Sequence, residues 1–390
     1  MPALLDGVLS PDGWAYASAP STGADDPGRF QTLFGRDSLI AALQLLPVRP
    51  EVARATLCAL AARQGRRDDP EIDEEPGKIL HEHWPRIPRR LVDMGWPQRD
   101  GAMLYYGSAD ATSWFLVVLD ALGDAALTAE LASSWRAAGE WLERAVANGD
   151  GLVRHGPRRA RGGLAQQGWR DTTDPLDPET RGGGIVRPDG SAPRPPLADA
   201  DSQAVAVVAA RALARLSGKV RHRELAERLR AAVVDAFDPE TLAIEGDGRR
   251  VPGAGSQLGW LLWADAAPEG AAERLVEPDV LTSWGLRTLA EGDPRFDPAG
   301  YHRGAVWPFD SWLGWGGLRA AGRVEEAERL RAGVLDALDR LGRAPELYAV
   351  RAGGPEPIPI ANAVQAWTVG ARWALESGWD GRASAEGLKT

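Results

Sequence analysis

Apolar residues recur at helical spacing along almost the whole chain. In 124–147, Leu127, Leu131, Trp135, Ala138, Leu142 and Val146 step by three or four, with Asp124 placed to cap the start. In 323–341, Val324, Ala327, Leu330, Val334, Leu338 and Leu341 do the same after Gly322-Arg323. Segment 201–217 carries Val205, Val208, Ala212 and Leu216 on one side, and a run at 228–237 follows the break at Ser217-Gly218. The same period predicts helices near 37–46, 51–64, 76–84, 110–122, 256–266, 270–280, 305–321 and 360–377. No alternating series of the kind a sandwich or a parallel sheet requires is present; short strands are expected only around 151–155 and 242–245. The pattern predicts an all-α chain of about twelve helices. Paired as hairpins, these would close a double ring of six inner and six outer helices. An open solenoid is the alternative, though no fixed-period repeat is visible.

One stretch breaks the helical rhythm. Residues 172–198 hold six prolines and Gly182-Gly183-Gly184. A loop this long inside a compact domain is usually functional or disordered, which makes it a candidate lid. The expected layout is a lead-in over 1–29, one helical domain over 30–379 and a tail over 380–390.

Composition narrows the partners. The 390 residues carry 45 basic and 55 acidic side chains, a net charge of −10. That balance argues against nucleic acid, whose phosphates need a basic face. The lone cysteine, Cys58, forms no intramolecular disulfide or cysteine zinc cage, and fits a reducing compartment. The N-terminus lacks the basic and apolar regions of a signal peptide, and no apolar run reaches the ~18 residues of a membrane span. A cytoplasmic protein without a membrane partner is expected; an oligomer is possible. Trp is the commonest aromatic, 16 against 5 Tyr and 6 Phe, and its flat faces serve both core packing and sugar stacking.

Several chemistries drop out. There is no G-x-S-x-G elbow, Walker A loop or G-x-G-x-x-G. His81-Glu82-His83 lacks H-E-x-x-H spacing, so no metal is expected. Five histidines and one cysteine leave few bases for nucleophilic catalysis. Carboxylates remain, in three unusual settings: Gln167-Gly168-Trp169-Arg170-Asp171, Pro345-Glu346-Leu347-Tyr348 and Phe34-Gly35-Arg36-Asp37-Ser38. Taken singly, each has a plain structural reading; Asp37, for instance, stands where a helix cap belongs.

Together these segments resemble those of bacterial amylo-α-1,6-glucosidase (glycogen-debranching) proteins. The match begins at Phe30–Leu39 and continues through Gly77-Lys78-Ile79-Leu80-His81-Glu82 and Tyr105–Thr112. Gln167–Asp171, Ser283–Leu289, Tyr301–Asp310 and Pro345–Tyr348 follow in the same order. That family is similar to other inverting α-glycosidases with an (α/α)6 barrel, including the mannosylglycerate and glucosylglycerate hydrolases of family sixty-three. The resemblance implies that Asp171 is the general acid and Glu346 the general base. It also implies a sugar pocket formed by Arg36, Asp37, Trp307 and Gln365, with His81, Glu82, Tyr105, Asp110, Gln167 and Trp169 as further candidates. Arg303, Ala305 and Phe309 depart from the family's usual Asn, Ser and His, which bears on the leaving group.

The chemistry suits these residue types. Glycoside hydrolysis needs a protonated carboxyl for the leaving oxygen and an ionised one to activate water, ~6.5–9.5 Å apart in the inverting arrangement. Burial against Trp169 would raise the Asp171 pKa, and Arg170 would lower it if it faces the site. No cofactor is required. The expected partner is a small saccharide or α-glycoside, such as a glucosyl- or mannosylglycerate, with an α-1,6 branch as alternative. Arg303 would either meet an acidic leaving group or pair with Asp310. Two rival classes are a sugar epimerase, which needs paired histidines, and a non-catalytic carbohydrate-binding barrel.

Overall fold

The computed structural model describes residues 5–20, 30–159, 162–177 and 183–382. Residues 1–4 and 21–29 of the expected lead-in, 178–182 of the candidate lid and 383–390 of the tail lie outside them.

Helices dominate. In chain order they are α1 (Gly35–Leu45), α2 (Pro50–Ala61), α3 (Arg89–Asp93), α4 (Ala111–Leu122), α5 (Ala125–Glu130), α6 (Ala132–Asn148), α7 (Ala200–Ser217), α8 (Val220–Ala236), α9 (Gln257–Trp263), α10 (Ala271–Leu275), α11 (Pro308–Ala320), α12 (Val324–Leu341) and α13 (Ala366–Ser377). They fall into two kinds. Every residue of α1 and all but the last two of α11 are buried. By contrast, α12 buries only the stripe of Ala327, Leu330, Val334 and Leu338 with their helical neighbours. A helix apolar on all sides belongs inside, and an amphipathic one belongs outside with its stripe inward. The packing follows. The inner helices α1, α4, α7, α9, α11 and α13 each pack against the next, and α13 returns to α1. Outside them, α2 packs on α1, α6 on α4, α8 on α7, α10 on α9 and α12 on α11. Residues 5–20 pack into the same core: Leu5, Val8, Ala15 and Ala17 are buried, and the Ala17 carbonyl accepts the Ala366 N–H at 2.8 Å. No described helix is long and apolar enough to cross a membrane.

Among the described residues, ten short strands join these helices: β1 (Leu33–Phe34), β2 (Glu82–Trp84), β3 (Met103–Tyr105), β4 (Ala198–Asp199), β5 (Thr241–Ile244), β6 (Arg250–Pro252), β7 (Leu281–Thr282), β8 (Gly285–Leu286), β9 (Tyr348–Arg351) and β10 (Gly354–Pro357). The antiparallel sheet β1-β2-β3 puts Phe34, Glu82 and Tyr105 in one row. A bridge between Val306 and Tyr348 brings the approach to α11 beside the approach to β9.

Five expectations need correction. The helix predicted over 76–84 is extended chain ending in β2. Gly77 turns there at φ +89°, where a Cβ would lie 2.1 Å from the Ala137 carbonyl, and Leu80 passes equally close beneath Gly35. The single helix over 124–147 is two, α5 and α6, broken at Leu131, with Asp124 accepting the Leu127 N–H as its cap at 2.9 Å. The run at 228–237 is the second half of the longer α8, whereas 270–280 shrinks to the five residues of α10. Of the expected strands, that around 242–245 appears as β5 (Thr241–Ile244), but 151–155 contributes only a bridge from His155 to Leu197.

Candidate active site

The inner helices present their N-terminal ends to one region. Arg36 and Asp37 open α1, Asp110 precedes α4, Trp307 precedes α11 and Gln365 precedes α13. Hydrogen bonds tie these ends together. Arg36 Nε meets Asp110 Oδ2 at 2.7 Å, and Gln365 Nε2 donates to Asp37 Oδ2 at 3.2 Å. A cavity of about 520 Å³ opens there.

Arg36 is the hub. Besides Asp110, it donates from NH1 to Asp171 Oδ2 and from NH2 to the Gly168 carbonyl, both at 2.7 Å. All three guanidinium nitrogens are therefore engaged by the protein. Arg36 also lines the cavity beside Asp171. Asp110 in turn is held by Ser108 Oγ at 2.9 Å.

Asp171 lines the cavity with its side chain 26 % exposed. Burial raises its pKa above the ordinary carboxylate value, against the pull of Arg36. Arg170 takes no part in that contest. Its guanidinium turns away to Asp201 at 2.9 Å and to the Thr288 carbonyl at 2.8 Å. Glu346 faces the same cavity. Its Oε1 accepts from the Tyr301 hydroxyl, and its Oε2 accepts from the Asn362 backbone N–H at 3.1 Å and side chain at 3.4 Å. Asn362 Nδ2 also reaches Gln365 Oε1 at 3.0 Å, so one chain of polar contacts links Glu346 to Asp37. Asp37 is pushed up to about 8, first by burial and then, against Arg36, by the charges of Asp171, Glu346 and Asp110.

Of the other expected residues, His81, Glu82, Trp169 and Trp307 line the cavity. Glu82 is pushed up to about 7 by burial and accepts the Trp84 indole N–H at 2.5 Å. Burial, with Arg36 nearby, drives the His81 pKa far down and keeps the ring neutral. Trp307 anchors its indole N–H on the Tyr301 carbonyl at 2.8 Å. Tyr105 and Gln167 stand behind the wall. The Tyr105 hydroxyl donates to Asp73 Oδ2 at 2.9 Å and accepts from the Leu164 N–H, while Gln167 Nε2 donates to the same Asp73 at 3.1 Å. Asp110 and Gln365 are likewise absent from the lining and hydrogen-bond to Arg36 and Asp37.

Tyr301, His302, Trp367 and Asn362 were not foreseen as site residues. Tyr301 and His302 lie inside a motif that pointed here; Asn362 and Trp367 carry no local signal. His302 stacks on Trp307, with ring centroids 5.3 Å apart, and its Nδ1 faces the Gly184 N–H at 3.1 Å. Thr172, Thr173, Asp177 and Gly183, from the candidate lid, line the cavity. Arg303 does not, and Asp310 accepts from the Trp260 indole at 2.5 Å, so no Arg303–Asp310 pair forms. Phe309 stacks at 4.1 Å on Trp367, which itself lines the cavity.

Comparison with known proteins points the same way. No curated protein matches the chain. Solved structures of a family 63 mannosylglycerate hydrolase from Thermus thermophilus share its fold. The complex with Tris and D-glycerate aligns with a TM-score of 0.70 at 17 % identity, over 97 % of this chain and 98 % of that one. The complex with glucose gives 0.68 at 18 %, over 96 % and 98 %. The complex with Tris alone gives 0.69 at 18 %, also over 96 % and 98 %. Residues 111–348 match the mannosylglycerate hydrolase MGH1-like glycoside hydrolase domain, and over more than half its length the chain thus belongs to that family of glycoside hydrolases.

Proposed function

We propose that this glycoside hydrolase is an exo-acting, inverting α-glycosidase built on an (α/α)6 barrel. It would release a terminal glucose or mannose from a small α-glycoside. The observation that carries the reading is that Asp171 and Glu346 line one cavity, Asp171 held by Arg36 and Glu346 by Tyr301 and Asn362.

Asp171 is the general acid. Burial favours its protonated form, Arg36 fixes one oxygen, and the other delivers the proton to the leaving oxygen. Glu346 is the general base. The Tyr301 hydroxyl and the Asn362 N–H groups donate to it and orient it toward a water on the opposite face of the sugar ring. Proton delivery and water attack proceed through an oxocarbenium-like transition state. The bond to the aglycone breaks as the bond to water forms, with inversion at the anomeric carbon. Trp169 and Trp307 supply flat faces, and Asp37 a hydroxyl partner, for the terminal sugar. The segment 172–198 would serve as the lid over the bound glycoside, a role supported by its four lining residues.

Early NMR spectra of turnover should show the β-sugar; α-sugar as first product overturns the inverting mechanism. Asp171→Asn and Glu346→Gln should each lower kcat by roughly 10²–10⁴-fold with the fold intact by circular dichroism. Retained activity in either variant removes that residue from its role.

A further inference from the structure

The turn that carries the proposed acid is held from behind by a histidine outside the cavity. The His155 backbone exchanges two hydrogen bonds with Leu197, at 2.8 and 2.7 Å, and so closes the neck of the chain excursion over 156–196. Asp171 and most of the candidate lid lie on that excursion. The His155 ring reaches into it. Nδ1 accepts the Gln167 backbone N–H at 3.1 Å, and Nε2 meets Asp199 Oδ2 at 2.8 Å. A backbone N–H only donates, so Nδ1 is bare and the ring proton sits on Nε2, facing Asp199. Asp199 also caps α7, its Oδ1 accepting the Ser202 N–H at 2.8 Å. Burial works against its charge, but His155 and Ser202 hold its pKa below the ordinary carboxylate value, which keeps it an acceptor. Both His155 and Asp199 are buried, and neither lines the cavity.

The contact leads to the acid within a few atoms. The Gln167 carbonyl accepts the Ala109 N–H at 2.8 Å, so His155 completes the fixing of that residue's backbone. The next carbonyl, of Gly168, accepts from Arg36 at 2.7 Å, and the same guanidinium holds Asp171 at 2.7 Å. A Cβ on Gly168 would lie 2.7 Å from Asp199 Oδ2, so the turn runs directly over that carboxylate. The segment before His155 is anchored without the ring, because Gln203 brackets the Val153 N–H and carbonyl at 2.8 and 2.7 Å. What the ring itself fixes is therefore the turn.

We infer that His155 is a positioning residue for the general acid: through Nδ1 it fixes the Gln167–Gly168 turn, and with it the placement of Arg36 and Asp171 against the leaving oxygen. This inference rests on the assignment of Asp171 as the acid.

Two substitutions separate the two ring nitrogens in the full chain. Asn puts its carbonyl oxygen where Nδ1 stands, and Gln puts its amide where Nε2 stands. His155→Asn thus keeps the acceptor for Gln167 and gives up Asp199, and His155→Gln does the reverse. Mannosylglycerate and glucosylglycerate leave as alcohols that need the acid's proton, whereas α-mannosyl and α-glucosyl fluoride leave as fluoride, which needs little help. His155→Gln should lower kcat for the glycerate conjugates about 10–100-fold, with KM within about twofold and fluoride hydrolysis within about threefold of the parent. His155→Asn should stay within about threefold of the parent on every probe, although its Tm falls because Asp199 loses its donor. Hydrogen exchange read by mass spectrometry follows the contact without turnover: the peptide around Gln167 should exchange faster in His155→Gln than in His155→Asn. Equal losses in the two variants, or a loss shared by the fluorides, would mark a structural role and overturn the inference. So would a His155→Gln protein as active as its parent beside an inert Asp171→Asn. A parent that hydrolyses neither conjugate, or an Asp171→Asn protein that matches it, sinks the acid assignment and this role with it; faster exchange around Gln167 would then leave His155 as an anchor of the turn alone.

Discussion

Asp37 shows how a single residue can trade stability for chemistry. Folded, it keeps its proton up to a pH of about 8; unfolded, it releases it at the ordinary carboxylate value of ~3.9. Between those values the native state holds the extra proton, so this group's contribution to stability is lost as pH rises through the window. Asn cannot ionise. Asp37→Asn should therefore raise Tm by about 2–4 °C at pH 8.5, lose that advantage near pH 5, and hydrolyse substrate poorly. A variant less stable than its parent at high pH would contradict this account. The residue scale is also where sequence was most and least informative. Arg36, Asp171 and Glu346 stood out because their surroundings are unusual over five or six positions. Their partners did not. Arg170 is adjacent to Asp171 in the chain, yet it points to Asp201, and the cation that matters is 135 positions away. Asn362 became legible only once folding set it against Glu346.

At the scale of elements, helix periodicity located nearly every helix because burial repeats with the turn of the helix. It failed at 76–84, where pairing with β1 and β3 outweighs local preference. Apart from β5, the small strands were invisible, because so few residues hold no clear period. Glycine explains how α9 and α11 approach each other. A Cβ on Gly259 would sit 2.6 Å from the Gly314 Cα, and one on Gly317 would sit 2.4 Å from the Gly259 carbonyl. Any side chain here must push two inner helices apart, and α11 follows directly from Trp307. Gly259→Val should cost about 1–3 kcal/mol in denaturant unfolding and weaken saccharide binding together. Loss of stability with unchanged affinity would show that Trp307 is insulated from this contact.

Across the whole molecule, the tryptophan excess resolves into an aromatic column. Trp114 of α4 meets Trp260 of α9, which stacks on Trp169 at 5.8 Å and 12°; Trp169 meets Trp307, and Trp307 meets Trp367 of α13. Four of the 16 tryptophans line the cavity: Trp96, Trp169, Trp307 and Trp367. Others lock the ring shut. Trp379 donates its indole N–H to the Leu43 carbonyl at 2.8 Å, and its own carbonyl accepts from Trp312 at 2.7 Å, joining α1, α11 and the residues after α13. Trp379→Ala should destabilise the whole protein by about 2–3 kcal/mol in a single cooperative transition. A separate early transition would mean that the seam opens without the rest.

That seam also bears on how the enzyme comes to life. Asp37 and its partner Gln365 are 328 positions apart, and Glu346 comes late in the chain as well. A polypeptide emerging from the ribosome would have the side of the pocket carrying the proposed acid made long before the side carrying the proposed base. It would be inert toward glycosides until Glu346 and α13 had also been made, and would gain its hydrolytic capacity at one moment, when α13 slots against α1.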